Sequence, residues 1–173
     1  TTTMKSVGEA MALGRNFTEA LQKALRSIER KEAVFSWTES KSDIDLSSHL
    51  ELMKRPHDGR MSLVQEALWA GATVEQVFDA TKIDPWFLDQ ICLINEIADE
   101  VREATELDLD LLRHAKRHGF SDLQISTLRP ELANAKAVRE LRHSLNLRPV
   151  YKTVDTCAAE FEAKTPYYYS TYD

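Results

Sequence analysis

The segment from residue 84 to residue 101 reads DPWFLDQICLINEIADEV, and it decides the fold. Asp84 followed by Pro85 is typical of a helix start, because a short acid caps the first turn and proline fits the first helical position. Burial of about eight apolar residues at roughly 1.5 to 3 kcal/mol each outweighs the few tenths per residue by which Ile and Val disfavour helix. The segment therefore predicts the longest helix of the chain. Its apolar stripe comprises Phe87, Ile91, Ile94, Ala98 and Val101, widened by Trp86, Leu88, Cys92 and Ile97.

Shorter helical patterns precede this segment. Capping residues and apolar residues at helical spacing mark each of them. Ser6 with Glu9 indicates a short helix that Gly14 stops. The others are a helix from Asn16, with Glu19 as its capping partner, to about Arg30, a short one over Ser47 to Met53, one through Leu63, Val64, Ala67 and Leu68 closed by Gly71, and a brief one capped by Thr73 and Gln76.

Three further helices follow the long segment. Asp108 caps one that Gly119 ends, Ser121 with Gln124 opens another, and the last runs over about Ala135 to Leu145. We therefore expect an all-α fold, an irregular array of seven or eight short helices around one core.

Two stretches lack the helical period. Lys31 to Asp45 is polar around Phe35 and Trp37, which predicts a surface loop held by two aromatic side chains. Val150 to Asp173 is extended, Thr-rich and aromatic, with helical period only over Ala158 to Ala163. Because a free tail seldom carries so many rings, we expect an extended C-terminal tail that packs along a neighbouring domain.

Composition narrows the class of protein. The 173 residues carry a net charge of -6 and only two cysteines, Cys92 and Cys157, which suits a reducing compartment. No apolar stretch reaches the ~20 residues of a membrane span. We expect a cytoplasmic chain whose partners are proteins rather than nucleic acid or membrane.

The residues with possible chemistry have simpler interpretations. His114 and His118 have the spacing of a zinc pair, but Arg113, Lys116 and Arg117 crowd the same turn, so favourable charges at a helix C-terminus explain them better. Cys157 has no assigned histidine or cationic neighbour, and Cys92 lies on an apolar face, so both are interpreted as free packing thiols.

Two further motifs do not support a phosphate-binding or a DNA-binding site. Residues 6–9, SVGE, lack the second glycine of a phosphate loop and are interpreted as a helix cap. Residues 72–94 have the order of a helix-turn-helix, yet the helix that would read the DNA, from Pro85 to Val101, carries four acids and no Lys or Arg. We therefore assign no catalytic, cofactor-binding or metal-binding residue, and keep a DNA-binding or other helical protein-interaction module as the alternative.

Three stretches resemble one family in order along the chain. They are residues 4–17 (MKSVGEAMALGRNF), 83–88 (IDPWFL) and 148–161 (RPVYKTVDTCAAEF), and 168–172 (YYSTY) follows. All are similar to the large subunit of carbamoyl phosphate synthetase. The resemblance covers the chain in outline, while residues 31–60 contribute little to it.

This resemblance implies a domain division and a function. Residues 1–30 would end the amino-terminal ATP-grasp half, 31–148 would form the helical oligomerization domain, and 149–173 would connect towards the carboxy-terminal ATP-grasp half.

The parent enzyme, an ATP-dependent ligase, makes carbamoyl phosphate from bicarbonate, ammonia and ATP for arginine and pyrimidine synthesis. Its ammonia comes from a glutamine-hydrolysing small subunit, and its ATP and Mg or Mn bind in the two halves. The segment itself is expected to be non-catalytic, without a cofactor, and to act in homo-oligomerization. A start without methionine also suits an internal piece of a longer chain.

Overall fold

A computed structural model describes residues 9–154, 160 and 165–173. Within that part of the chain there are eight α-helices, two short 3₁₀ turns and one two-stranded sheet, so the predicted all-α class is confirmed. The helices are α1 (Phe17–Ser27), α2 (Leu46–Leu52), α3 (Arg60–Trp69), α4 (Val74–Thr81), α5 (Pro85–Glu103), α6 (Leu109–Arg117), α7 (Asp122–Leu128) and α8 (Ala135–Ser144). The strands are β1 (Val150–Val154) and β2 (Tyr167–Thr171), and the 3₁₀ turns are Lys31–Ala33 and Lys41–Asp43.

Helix α5 is the centre of the core, as its apolar stripe predicts. Leu88, Ile91, Ile94, Ala98 and Val101 are each 0% exposed. Helices α1, α3, α4, α6 and α7 pack against it. Tertiary burial therefore stabilises a helix rich in β-branched residues.

The first turn of α5 departs from the prediction. Phe87 was placed in the buried stripe, yet it is 42% exposed, and Trp86 beside it is 54% exposed. Both lie on the side of the helix start that faces Phe17 rather than the core. Periodicity identifies an apolar face, but it does not show whether the same chain covers that face along its whole length.

The capping predictions are confirmed at the helix corners. Thr73 and Gln76 form a reciprocal capping box at α4, and Ser121 and Gln124 form another at α7. Asp108 accepts a hydrogen bond from the N–H of Leu111 at 2.9 Å. Gly119, with a φ of +89°, ends α6 in the left-handed region that glycine adopts at low cost.

Three predicted boundaries were wrong or shifted. Residues 9–14 are not helical; Gly14 lies against α1, and Met11 is 84% exposed, so this segment has no buried face to support a helix. The predicted cap at Ser6 lies outside the described residues. Helix α1 ends at Ser27 rather than near Arg30, and Glu29 has a φ of 59°. Helix α2 is capped by Asp45 and spans Leu46–Leu52 rather than 47–53.

The loop and the tail show how far composition predicts irregular structure. Phe35 is 1% exposed and Trp37 is 5% exposed, which confirms that these two aromatics hold the loop. The indole N–H of Trp37 also donates to Asn95 Oδ1 at 2.8 Å. The described part of the tail is extended, and its strands pair antiparallel with Val150 opposite Thr171, a pairing that the sequence did not predict. The helical period over 158–163 lies outside the described residues, apart from Glu160.

Candidate functional site

Glu19 joins both ends of the described chain to helix α1. Its carboxylate is almost completely buried, 1% exposed for the whole residue. One carboxylate oxygen accepts hydrogen bonds from the backbone N–H of Arg15 at 2.7 Å and from the hydroxyl of Thr171 at 3.1 Å, and the other lies 2.7 Å from Lys23 Nζ. The predicted capping box at Asn16 is thus only half formed. Asn16 accepts from the N–H of Glu19, but Glu19 bonds to Arg15 instead of Asn16.

Charged side chains extend this junction along the two flanks. Lys23 Nζ donates to the carbonyl of Leu13 at 3.0 Å and also to the carbonyl of Ser170. Arg15 forms an ion pair with Asp173. We call Arg15, Glu19, Lys23, Thr171 and Asp173 the flank seam. Through it the chain enters and leaves the helical body at one place.

Asp122 is the centre of a second buried polar group beside the seam. Its carboxylate lies 2.9 Å from Lys116 Nζ and 2.8 Å from the Arg142 guanidinium, and the ring of Tyr172 covers both cations at 5.1 and 5.6 Å. This group fastens the C-terminal strand to α6, α7 and α8. No sequence pattern predicts this group, since Asp122, Lys116 and Arg142 have no shared motif.

The pKa directions follow from burial and pairing. Burial lowers the pKa of Lys116 to about 8, although Asp122 acts in the opposite direction. Burial alone would raise the pKa of Asp122, but its hydrogen bonds and ion pairs with Arg142 and Lys116 outweigh that effect and hold the pKa below its usual range. The carboxylate is therefore charged at neutral pH and balances two buried cations.

The two histidines lie on the same side of the structure. The ring centroids of His114 and His118 are 4.7 Å apart, and His118 Nδ1 is 2.9 Å from the hydroxyl of Thr18. Burial is the main cause of the lowered pKa of His118, and the charge of the neighbouring His114 lowers it further. Among the described residues there is no group of three His, Cys, Asp or Glu side chains placed to hold a metal ion. The contact of His118 with Thr18 joins the end of α6 to α1.

Cys92 has the properties of a packing thiol. It is half-buried on α5, and burial, together with the nearby carboxylates of Asp89 and Glu96, raises its pKa. A raised pKa keeps the sulfur protonated and disfavours nucleophilic attack. Cys157 lies outside the described residues.

Three aromatic side chains form a partly exposed patch where the start of α1 meets the start of α5. The ring of Phe17 lies 5.6 Å from that of Trp86 and 5.1 Å from that of Phe87, and the Trp86 and Phe87 rings are 5.0 Å apart. We call these three residues the aromatic patch. Large, rigid rings clustered at a surface are typical of protein interfaces.

The geometry disfavours the DNA-binding alternative. In a helix-turn-helix, the second helix must reach into the major groove. Here α5 is the central helix of the core, and its exposed first turn carries Trp86, Phe87 and Asp89 rather than cations. In the described part of the chain, no helix combines the length and apolar character needed to cross a bilayer.

Comparison with known proteins gives one consistent family. Residues 9–146 match the family model described as carbamoyl-phosphate synthetase large chain, oligomerisation domain. The whole chain is 61% identical to a carbamoyl phosphate synthase large chain from Clavibacter michiganensis and 62% identical to those from Streptomyces avermitilis and Micrococcus luteus. In each case all of this chain is covered, but it spans only 15% of the relative's length.

Proposed function

This chain belongs to the oligomerisation-domain family of the carbamoyl-phosphate synthetase large chain, and we propose that it is a non-catalytic segment that connects and assembles the parts of such a large chain. The complete enzyme would be an ATP-dependent ligase that makes carbamoyl phosphate in the cytoplasm from bicarbonate and glutamine-derived ammonia. A small subunit would hydrolyse the glutamine. ATP and Mg or Mn would bind in the two ATP-grasp halves rather than here.

The domain division predicted from the sequence is part of this proposal. Residues 1–30 would end the amino-terminal half, 31–148 would form the oligomerisation unit, and 149–173 would lead to the carboxy-terminal half. Helix α1 nevertheless packs on α5 and on the corner between α6 and α7, where Gln22 donates to the carbonyl of His118 at 2.9 Å. The N-terminal flank is therefore anchored to the helical body.

The flank seam is the observation that supports the connecting role. Both flanks contact one buried carboxylate, that of Glu19, through Arg15 on one side and Thr171 on the other. A chain that enters and leaves at one place can hold two flanking domains next to each other. A buried, fully hydrogen-bonded carboxylate also favours a single arrangement, because a shift of either flank leaves a buried acceptor unpaired.

The aromatic patch is our candidate for the assembly surface, with a second copy of the chain as its partner. Each aromatic side chain can bury roughly 150–250 Å² in an interface. In a symmetric contact the partner copy contributes the same three rings, so the buried area is twice that of one patch. Phe17 and Trp86 come from different helices, so the patch is a fixed shape rather than a mobile tip.

Replacement of Trp86 tests the assembly role directly. We expect the full chain to self-associate in sedimentation or light-scattering measurements, and Trp86→Glu to shift it towards the monomer by placing a charge at the interface centre. The matched control is Leu123→Glu, because Leu123 is also an exposed apolar residue, 65% exposed, on α7. Equal masses for the wild type and both variants, with circular dichroism unchanged, would reject the patch as the assembly surface.

Removal of the helical unit tests the broader proposal. In a complete large chain, deletion of Leu46 to Leu145 should reduce the oligomeric mass if this unit carries assembly. An unchanged mass would reject the assembly role. Purified full chain incubated with ATP and Mg²⁺ should release no phosphate above the buffer rate, and sustained turnover would contradict the non-catalytic role.

A further inference from the structure

A cleft of about 260 Å³ lies between α1, the corner that joins α6 to α7, and the end of β2. It is separate from the aromatic patch. Arg26 lies on one wall and Lys116 and Ser121 on another, while Ser170 and Tyr172 of the C-terminal flank close the third side. Three different parts of the chain therefore meet around one small polar space.

Positive charges outnumber negative charges on the walls of the cleft. Its walls carry three cations, Lys23, Arg26 and Lys116, and two carboxylates, Glu19 and Asp122. Both carboxylates are already paired, since Glu19 lies 2.7 Å from Lys23, and Asp122 contacts Lys116 and also Arg142 from behind the wall. The excess positive charge belongs mainly to Arg26.

Arg26 has donor groups to spare. Its guanidinium donates one hydrogen bond, to the carbonyl of Gly119 at 2.6 Å, and makes no ion pair with any residue that the structure describes. A guanidinium has five N–H donors in a planar fork that matches two oxygens of a phosphate or carboxylate. Partial burial of such a charge is unfavourable, and burial lowers the pKa of Arg26 although the carboxylates of Glu19 and Asp122 act in the opposite direction. An additional anion in contact with the guanidinium would compensate this charge more fully.

Two neighbouring groups can complete an anion site. The hydroxyl of Ser121 accepts a hydrogen bond from the N–H of Gln124, so its own proton is free to donate. Lys116 uses two of its three N–H donors, one for the carbonyl of Phe120 and one for Asp122. Residues that carry guanidinium, hydroxyl and ammonium donors thus line the cleft from different elements.

We propose that this cleft binds a small oxyanion of the phosphate class, held by the Arg26 fork with the Ser121 hydroxyl and the Lys116 ammonium. The surplus of positive charge on the walls favours an anion, and a tetrahedral group can accept from donors in several directions. The bound anion would link α1, the corner between α6 and α7, and the end of β2. Phosphate would therefore tighten the attachment of the C-terminal flank to the helical body.

Calorimetric titration of the full 173-residue chain with inorganic phosphate tests this proposal at constant ionic strength. We expect saturable binding by the wild type and roughly 10- to 100-fold weaker binding by Arg26→Gln, the effect of losing charge-assisted hydrogen bonds. Arg26→Lys keeps the charge but loses the fork, so its affinity should fall between the two. Arg113→Gln is the matched control, because Arg113 is a solvent-accessible arginine that pairs with Asp110.

Amide hydrogen exchange of residues 167–172 gives a second readout. Phosphate should slow this exchange in the wild type and in Arg113→Gln, but not in Arg26→Gln. If Arg26→Gln does not fold by circular dichroism, the comparison of wild type with Arg26→Lys carries the test. Absence of saturable binding by the wild type, or equal binding by the wild type and both Arg26 variants, would overturn the proposal. Acetate binding as tightly as phosphate at equal ionic strength would overturn the assignment to the phosphate class.

Discussion

Replacement of Asp122 by asparagine removes one negative charge from between two buried cations and leaves the side chain almost the same size. In the native chain the carboxylate lies 2.9 Å from Lys116 and 2.8 Å from Arg142, whose side chains are each only 7% exposed. The amide of asparagine can keep one acceptor, but it cannot balance two charges. Asp122→Asn therefore tests whether this buried group stabilises the fold through charge.

The two cations respond differently to the loss. Lys116 already has a pKa of about 8 instead of 10.5, which corresponds to roughly 3 kcal/mol against its charged form, so it can release its proton. Arg142 cannot, because the guanidinium stays protonated at any ordinary pH. Removal of one partner of a buried ion pair costs about 3–5 kcal/mol. With Lys116 able to neutralise itself, we expect the lower end, a loss of about 3 kcal/mol in the free energy of unfolding at pH 7.

Urea unfolding followed by circular dichroism measures this loss. The control is Asp110→Asn, since Asp110 makes an ion pair of similar length, 2.7 Å, with Arg113 but is 89% exposed on its side chain. Screening by solvent makes such a pair contribute little, so the control should leave the unfolding curve unchanged. A loss below about 1 kcal/mol for Asp122→Asn would refute the reasoning that burial makes this charge important.

The same group predicts a pH dependence in a defined window. Above pH 8 folded Lys116 loses its proton, whereas the unfolded chain keeps it until about 10.5. The unfolded state then binds more protons, so the contribution of Lys116 to stability rises with pH between these values. Nitrogen NMR of the Lys116 ammonium should show a pKa near 8, and a lower one in Asp122→Asn. A pKa of 10 or more in either protein would contradict the burial of this charge.

Three further predictions concern single positions. Gly119→Ala would place a methyl group 2.9 Å from Glu19 Cα at a φ of +89°, so we expect the free energy of unfolding to fall by about 2 kcal/mol or more, measured from the urea midpoint. An unchanged midpoint would contradict the close packing of α6 on α1. Because the pKa of His118 is lowered in the folded state, the unfolded chain takes up a proton at this residue first as the pH falls below 6.5, and the folded state is destabilised as the pH falls further. The free energy of unfolding of His118→Gln should therefore depend less on pH between 7 and 5 than that of the wild type. An identical dependence would exclude His118 as the source of this pH effect. Thr73→Ala removes the capping box of α4 and should cost about 1 kcal/mol in thermal unfolding, and a smaller change than in an exposed Thr38→Ala control would contradict the role of the cap.

The sequence predicted the helices because their signals are local. Caps at Thr73, Asp108 and Ser121 lie within four residues of the groups that they bind, and the stripe of α5 repeats within one helix. The failed helix before Gly14 had the same kind of local signal. There the signal was insufficient, because a helix of a few residues forms only if one face is buried, and no burial partner is visible in the sequence.

The candidate sites were largely unpredictable for the opposite reason. The hydroxyl of Thr171 reaches Glu19 across 152 positions, and Asp122 reaches Arg142 across 20, so no motif records either contact. Glu19 was visible only as a capping partner, a role that it fills for Arg15 rather than for Asn16. The sequence shows that positions 86 and 87 are apolar, but Trp86 and Phe87 are compatible with a buried core and with an interface equally well.

The use of charges rather than apolar side chains at the junction of the flanks has a physical consequence. An apolar seam specifies register only through the fit of its side chains, whereas Glu19 also has directional hydrogen-bonding partners at Arg15, Lys23 and Thr171. A shift of one strand residue would reverse the face on which Thr171 lies and leave a buried carboxylate with an unmet hydrogen bond. The buried carboxylate therefore holds the two flanks in one register. Glu19→Leu should for this reason lower the unfolding midpoint, because Arg15, Lys23 and Thr171 lose their acceptor, and it should also speed amide exchange in residues 167–172. A variant that loses stability and keeps slow exchange would show that Glu19 supports the core rather than the register.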